Sequence, residues 1–344
     1  MRVAELVERG RVCLAERPVV EPGPGEVQVR VEAVGICGSD LHNFSEGQIG
    51  GSPCAFPMVL GHEPAGTVVK TGPGVSGWTR GDRAALEPAI YCYHCEFCLS
   101  GHHNVCAALR FLSMPGDPGF FRDYVNLPAH NLLPVPPELS QAEVTLFEPL
   151  AVILHSLQFM ALRPGDRVAV WGAGPIGLLT VAALRLSGAG RIWAVEPVAH
   201  RRELALAAGA DAAIDPAAAP SGDEILRETG GRGVDVAIDC AAKGDSLDQA
   251  IASLRSAGRL VVTGIPSEAR INLDFNTVRR KEIAIFNVRR SNRESETALE
   301  LLRDHRSRFA ALITHQMPFT QIQRAFETLE RYADGVGKVV LRLD

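Results

Sequence analysis

The stretch RVAVWGAGPIGLLTVAAL, from Arg167 to Leu184, decides the fold. A short apolar run leads into a glycine-rich turn, and the turn leads into an Ala/Leu-rich segment of helical length. Gly172, Gly174 and Gly177 space the turn as G-x-G-x-x-G, with Pro175 and Ile176 opening the helix. The first glycine permits the turn, the second lets backbone approach a pyrophosphate, and the helix start supplies unpaired N–H groups to hold it. On length alone the segment is close to a short membrane span, but its glycines and proline fit a strand, a tight turn and a buried helix better. The expectation is a dinucleotide site.

Downstream, RIWAVE (Arg191–Glu196) reads as the next strand, and Glu196 ends it at roughly the 20-residue distance expected of the acid that binds the adenosine ribose. A carboxylate there accepts from both ribose hydroxyls and repels a 2′-phosphate, so NAD is expected rather than NADP. Arg201 and Arg202 follow. An arginine near this point can hold a 2′-phosphate, but the pair is read as starting the next helix and flanking the adenine. HRRELALAAGA, VDVAIDCA, a helix over Ser246–Gly258 and the strand RLVVTGI continue the alternation. They predict a doubly wound parallel sheet, the Rossmann arrangement, over residues 153–287.

Upstream the texture differs. Val-rich runs such as Val27–Val34 and Thr67–Lys70, punctuated by PGPG and TGPG, predict a β-rich domain over residues 1–152. Beyond Lys281, two helical segments (Glu296–His305 and Thr320–Ala333) precede KVVLRLD, which is expected to pack back on the first domain, so that 288–344 rejoins it. The fold class is α/β in two domains, as a chain of 344 residues favours.

The sequence YCYHCEFCLSGHHNVC carries Cys92, Cys95, Cys98 and Cys106 as C-x2-C-x2-C-x7-C. Four thiolates in one lobe, about residues 90–108, can close a tetrahedral shell and leave no open position, which suits a structural zinc. An iron–sulfur cluster is the competing reading. His94, His102 and His103 are not needed and are expected to be exposed loop residues. A second set is scattered: Cys37 in GICGSDLH, His62 and Glu63 in GHEPAG, and Glu148 in FEPLAV. One soft ligand with borderline and hard ones from distant loops is the pattern of a catalytic zinc with an exchangeable position.

Composition narrows the function classes. Apolar residues at 46% and charged residues at 22% describe an ordinary globular chain. A net charge of −5 gives no basic field for nucleic acid or anionic membrane, so a small-molecule substrate is expected. Glu5, Glu8 and Arg9 interrupt the apolar run a signal peptide requires, and the expected location is cytoplasmic.

GICGSDLH, GHEPAG, the four-cysteine lobe, EPLAV and VWGAGPIG, in that order, resemble the zinc-containing medium-chain dehydrogenase/reductase superfamily, and within it the sorbitol (L-iditol 2-) dehydrogenase branch. The resemblance implies a GroES-like catalytic domain followed by a Rossmann domain, often as a homotetramer or dimer. Glu148 stands where the alcohol dehydrogenase branch carries cysteine. It implies Cys37, His62 and Glu63 as zinc ligands, with Glu148 a direct ligand or the holder of a zinc-bound water. Ser39 and His42 match its proton-relay positions, and Asn43, Phe44, Phe111, Met114, Arg289 and Arg290 fall at or beside its substrate contacts. Asn43 replaces an aromatic, Met114 a small hydroxyl residue and Arg290 a tyrosine, which leaves the particular substrate open.

The function expected is NAD-linked oxidation of a secondary alcohol on a polyol or sugar-like substrate to a ketone. L-Threonine, an aminocyclitol, a sugar acid or a polyol phosphate are alternative substrates, the last two because two adjacent arginines suit an anion. A structural or redox-responsive protein that binds zinc and NAD without turnover is the non-enzyme alternative.

Overall fold

In the computed structural model, which describes residues 1–343, the chain divides into two compact units: Met1–Ala151 with Ser291–Asp344, and Val152–Arg290. In the first, the alternating valines of EVQVRVEAVG form β1 (Glu26–Gly35), whose Val27, Val29 and Val31 are fully buried. The helix α1 (Gly38–Glu46) follows at once, capped by Cys37 and Asp40, and β2 (Glu63–Thr71) lies antiparallel to β1. Next come β3 (Arg83–Leu86), β4 (Tyr124–Pro128), β5 (Leu132–Pro134) and the start of α2 (Phe147–Met160).

The register of β1 on β2 places Gly35 opposite Glu63 and Val34 opposite Pro64. Cys37 therefore sits just past the end of one strand, and His62 just before the start of its neighbour. Two residues from distant parts of the sequence are delivered to one sheet edge by pairing alone.

The second unit runs β6 (Arg167–Trp171), α3 (Pro175–Leu186), β7 (Arg191–Val195), α4 (Ala199–Ala208), β8 (Ala212–Ile214), β9 (Val234–Asp239), α5 (Ser246–Ser253), β10 (Leu254–Val262) and β11 (Ala284–Asn287). All neighbouring strands are parallel, in the order β8-β7-β6-β9-β10-β11. The order reverses between β6 and β9, which is the switch point where such sheets bind dinucleotides. The helix expected over Ser246–Gly258 stops at Ser253, and β10 begins directly. Ala257 takes a left-handed φ of 55°, which a helix cannot absorb.

The chain then returns to the first unit through α6 (Ser295–Asp304), β12 (Ile313–Pro318), α7 (Ile322–Glu330) and β13 (Lys338–Arg342). The finished seven-stranded sheet runs β5-β3-β2-β1-β13-β12, with β4 also pairing with β1. Val340 pairs with Gly35 and the Ile36 N–H donates to Val339, so the start of β13 lies beside the Cys37 loop. Phe326 of α7 stacks on Phe44 at 4.8 Å inside this unit's core. No helix among the described residues is long and apolar enough to cross a membrane.

Candidate active site and metal centres

Donor atoms of Cys37, His62 and Glu63 all lie within 4.8 Å of one another. Asp40, fully buried in the first turn of α1, ties their loops together. Its Oδ2 accepts the Cys37 N–H at 3.1 Å, while Oδ1 accepts the Gly61 N–H at 3.1 Å and the Ser113 hydroxyl at 3.3 Å. Oδ1 also lies 3.4 Å from His62 Nδ1, an ion-pair separation that is long for a hydrogen bond. With Nδ1 turned to the carboxylate, Nε2 is the free donor, and the Ser39 hydroxyl stands 3.3 Å from it.

Burial works against a charged His62, but Asp40 and Cys37 outweigh it and raise the imidazole well above its ordinary range. Burial likewise opposes the Asp40 carboxylate, yet His62 and the Cys37 and Gly61 amides hold it below its ordinary value. Glu63 is almost wholly buried: Lys338 Nζ of β13 pairs with its Oε2, and Oε1 has no hydrogen-bond partner among the described residues. A soft, a borderline and a hard donor converging within 4.8 Å, one of them a carboxylate with an orphaned oxygen, fit a zinc ion.

Glu148, in the first turn of α2, is buried and stands outside the three convergent donors. Burial pushes its carboxyl up to about 8; Glu63 and Glu87 push the same way, and His62 and Lys338 against it. Phe111 places its ring 5.5 Å from that of His62. Met114 is half-buried in the turn that follows. Asn43 is buried and accepts the Cys54 thiol at 3.0 Å. Phe44 is a correction: at 1% exposure, stacked on Phe326, it is a core residue and offers no surface to a substrate. His42 Nδ1 pairs with Glu46 one helical turn on, at 2.9 Å. In the second unit, Arg289 is exposed and Arg290 half-buried, the latter with a left-handed φ of 54°.

In the cysteine lobe the sulfur of Cys92 lies 3.4 Å from that of Cys106 and 4.0 Å from that of Cys98, with Cys95 3.9 Å from Cys106. These separations are too long for disulfides and bracket the edge of about 3.8 Å that four Zn–S bonds of about 2.3 Å require. They leave no room for the larger framework of an iron–sulfur cluster. The neighbouring groups split the thiols: hydrogen bonds from backbone N–H groups draw Cys95 down to about 6, while burial drives Cys98 up to about 12. His94 and His102 are exposed, but His103 is buried against Tyr91 and Tyr93, correcting its expected place in open loop.

At the glycine turn, Gly172 has φ +88° and Gly174 is the N-cap of α3, with Pro175 at the first helical position and Ile176 next. A Cβ on Gly177 would fall 1.8 Å from the Gly172 carbonyl oxygen, so only glycine lets helix and turn close. Glu196 is buried, its Oε2 accepting the Ala173 N–H at 2.7 Å and its Oε1 the Val198 N–H at 3.0 Å. Arg201 is buried near Gly174. Arg202 is committed to the Glu196 and Pro197 carbonyls and to Asp215.

Asp40, Ser113 and Lys338 are the residues that sequence reasoning missed. Asp40 had a local signal, an acid in the first turn after Cys37. Lys338 had none, since it meets Glu63 from 275 residues away.

Comparisons agree with this architecture. Residues 23–137 match the family model of the alcohol dehydrogenase GroES-like domain, and residues 175–304 that of zinc-binding dehydrogenases. Sorbitol dehydrogenase of Bacillus subtilis is 34% identical over 99% of this chain and 97% of its own. L-Threonine 3-dehydrogenase of Pyrococcus horikoshii is 34% identical over 96% and 94%. An alcohol dehydrogenase of E. coli CFT073, solved with NADH, superposes with a TM-score of 0.90 at 28% identity over 100% and 99% of the two chains. Fold and site thus define a zinc-binding dehydrogenase built from a GroES-like and a Rossmann domain. More particularly, the chain belongs to the zinc-containing medium-chain dehydrogenase/reductase superfamily, in its sorbitol-dehydrogenase-like branch.

Proposed function

We propose that the protein oxidises a secondary alcohol of a polyol or sugar-like substrate to a ketone and passes the hydride to NAD+. The observation that carries this reading is the convergence of Cys37, His62 and Glu63 beside the Ser39 hydroxyl. Those three side chains hold the catalytic zinc, with Glu148 a fourth ligand or the anchor of a bound water; Cys92, Cys95, Cys98 and Cys106 hold the structural one. Zinc in the first site supplies Lewis acidity that lowers the pKa of an alcohol and stabilises its developing negative charge.

Ser39 takes the hydroxyl proton, and His42, backed by Glu46, carries it outward with solvent or the cofactor ribose between. Phe111 forms an apolar wall, with Met114, Asn43, Arg289 and Arg290 further substrate contacts. Gly172, Gly174, Pro175, Ile176 and Gly177 cradle the pyrophosphate, Arg201 flanks the adenine, and Glu196 selects NAD+ against its 2′-phosphorylated counterpart. We assign the catalytic role to the first unit and cofactor binding to the second, and place the protein in the cytoplasm as a homotetramer or dimer.

The test is NADH production from NAD+ with sorbitol, xylitol, L-threonine, a sugar acid and a polyol phosphate, before and after chelation. Turnover of a polyol that ends when the Cys37 site loses its metal is expected. Activity surviving that loss overturns the zinc assignment, and a preference for threonine or an anionic substrate overturns the polyol. Replacing Glu196→Gln should erode the preference for NAD+ about tenfold or more, the worth of a charged hydrogen bond.

A further inference from the structure

The buried pair of Lys338 and Glu63 is used by nothing in the proposed proton path, yet the fold makes room for it at a cost. Both side chains are 1% exposed. Lysine is seldom buried so completely, because its ammonium must be given back what water supplied. Here Nζ donates to the Ile36 carbonyl at 3.0 Å and pairs with Glu63 Oε2. The space comes from Gly35: a Cβ there would fall 2.1 Å from Glu63 Oε2 and 3.0 Å from Lys338 Cε.

The two oxygens of Glu63 are therefore unequal. Oε2 is held by the ammonium, and Oε1 is buried without a hydrogen-bond partner, on a residue whose carboxylate converges with Cys37 and His62. An arginine could have gripped both oxygens; a lysine is a point charge and grips one.

We propose that Lys338 is a positioning residue for the catalytic zinc: by holding Glu63 through Oε2 it leaves Oε1 alone to face the metal, and so keeps the exchangeable position open for substrate. This rests on the reading of Cys37, His62 and Glu63 as zinc ligands. Lys338 also sets the charge of the site. Its ammonium offsets one of the negative charges that the Glu63 and Asp40 carboxylates bring beside the zinc ligands.

The test uses full-length protein with cobalt in the catalytic site, comparing wild type with Lys338→Met and Lys338→Arg by metal content, visible absorption and turnover. Lys338→Met should keep both metals while its cobalt absorption changes in position and intensity, because Glu63 is free to turn its second oxygen inward. Its kcat should fall about tenfold or more, as loss of an outer partner to a metal ligand does. Lys338→Arg, which keeps the charge but can grip both oxygens, should not restore the wild-type spectrum.

An unchanged cobalt spectrum in Lys338→Met, or loss of the catalytic metal in step with activity, overturns the proposal. Should Lys338→Met not fold, the same measurements on Lys338→Gln, whose amide still reaches toward the Ile36 carbonyl, decide between these outcomes. If Cys37→Ser in the wild-type background retains both metals, the underlying ligand reading fails instead.

Discussion

At Asp40 several partners meet one buried carboxylate: the Cys37 and Gly61 amides, the Ser113 hydroxyl and, at longer range, the His62 ring. Asparagine in its place keeps the shape but loses the charge that strengthens each contact and orients the imidazole. Asp40→Asn is expected to weaken zinc binding at the Cys37 site by about 10–100-fold, read by chelator competition. It should also cost about 2 kcal/mol in urea unfolding, the scale of a charged hydrogen bond lost. The four-cysteine site, which Asp40 does not touch, should keep its affinity and serves as the internal control.

Secondary structure supplies the precision that single residues lack. The glycine turn works because β6 and α3 approach so closely that Gly177 has no space for a side chain. Gly177→Ala should therefore abolish NADH binding, followed by cofactor fluorescence. It should destabilise the second unit by about 1–3 kcal/mol, as overpacking does.

At the other end of that sheet, Asp235 of β9 takes hydrogen bonds from Arg232, Arg255 and the Arg167 N–H. Burial pushes its carboxyl up, but these partners outweigh it and hold it far below its ordinary value of 3.8. A depressed folded-state value stabilises the fold above the unfolded pKa, and that contribution drains away as pH falls. Asp235→Asn should thus cost about 2 kcal/mol at neutral pH, a difference that narrows steadily in unfolding experiments below pH 3.8.

What could be read from the sequence was what repeats locally. Strand, turn and helix around Gly172 announce themselves because each obeys a short-range rule, and the cysteines of the lobe lie close enough together that their spacing alone implies a shell. Phe44 misled because an aromatic beside a functional motif looks the same whether it faces a ligand or a core, and only its stacking on Phe326, far along the chain, decides. Ser246–Gly258 misled because helical periodicity does not register a left-handed Ala257. Lys338 was invisible, its meaning lying wholly in the register of β13 on β1.

For the molecule as a whole, the two metal centres differ in kind. Four sulfurs converge at one candidate site and three donors of mixed kind at the other, the sets expected of a closed structural zinc and of a catalytic zinc with an exchangeable position. Graded chelation should therefore run in two stages: the Cys37 site empties first and activity ends while the far-ultraviolet spectrum holds, and only harsher treatment strips the cysteine lobe and lowers the melting temperature. Loss of both metals together, with a single unfolding transition, would contradict this division.

The place of Lys338 also imposes an order on synthesis. The partner of Glu63 is made 275 residues after it. Until β13 is added beside β1, that sheet edge is unpaired and the carboxylate lacks its counter-charge. During synthesis Glu63 therefore gains this counter-charge only once residue 338 has been made.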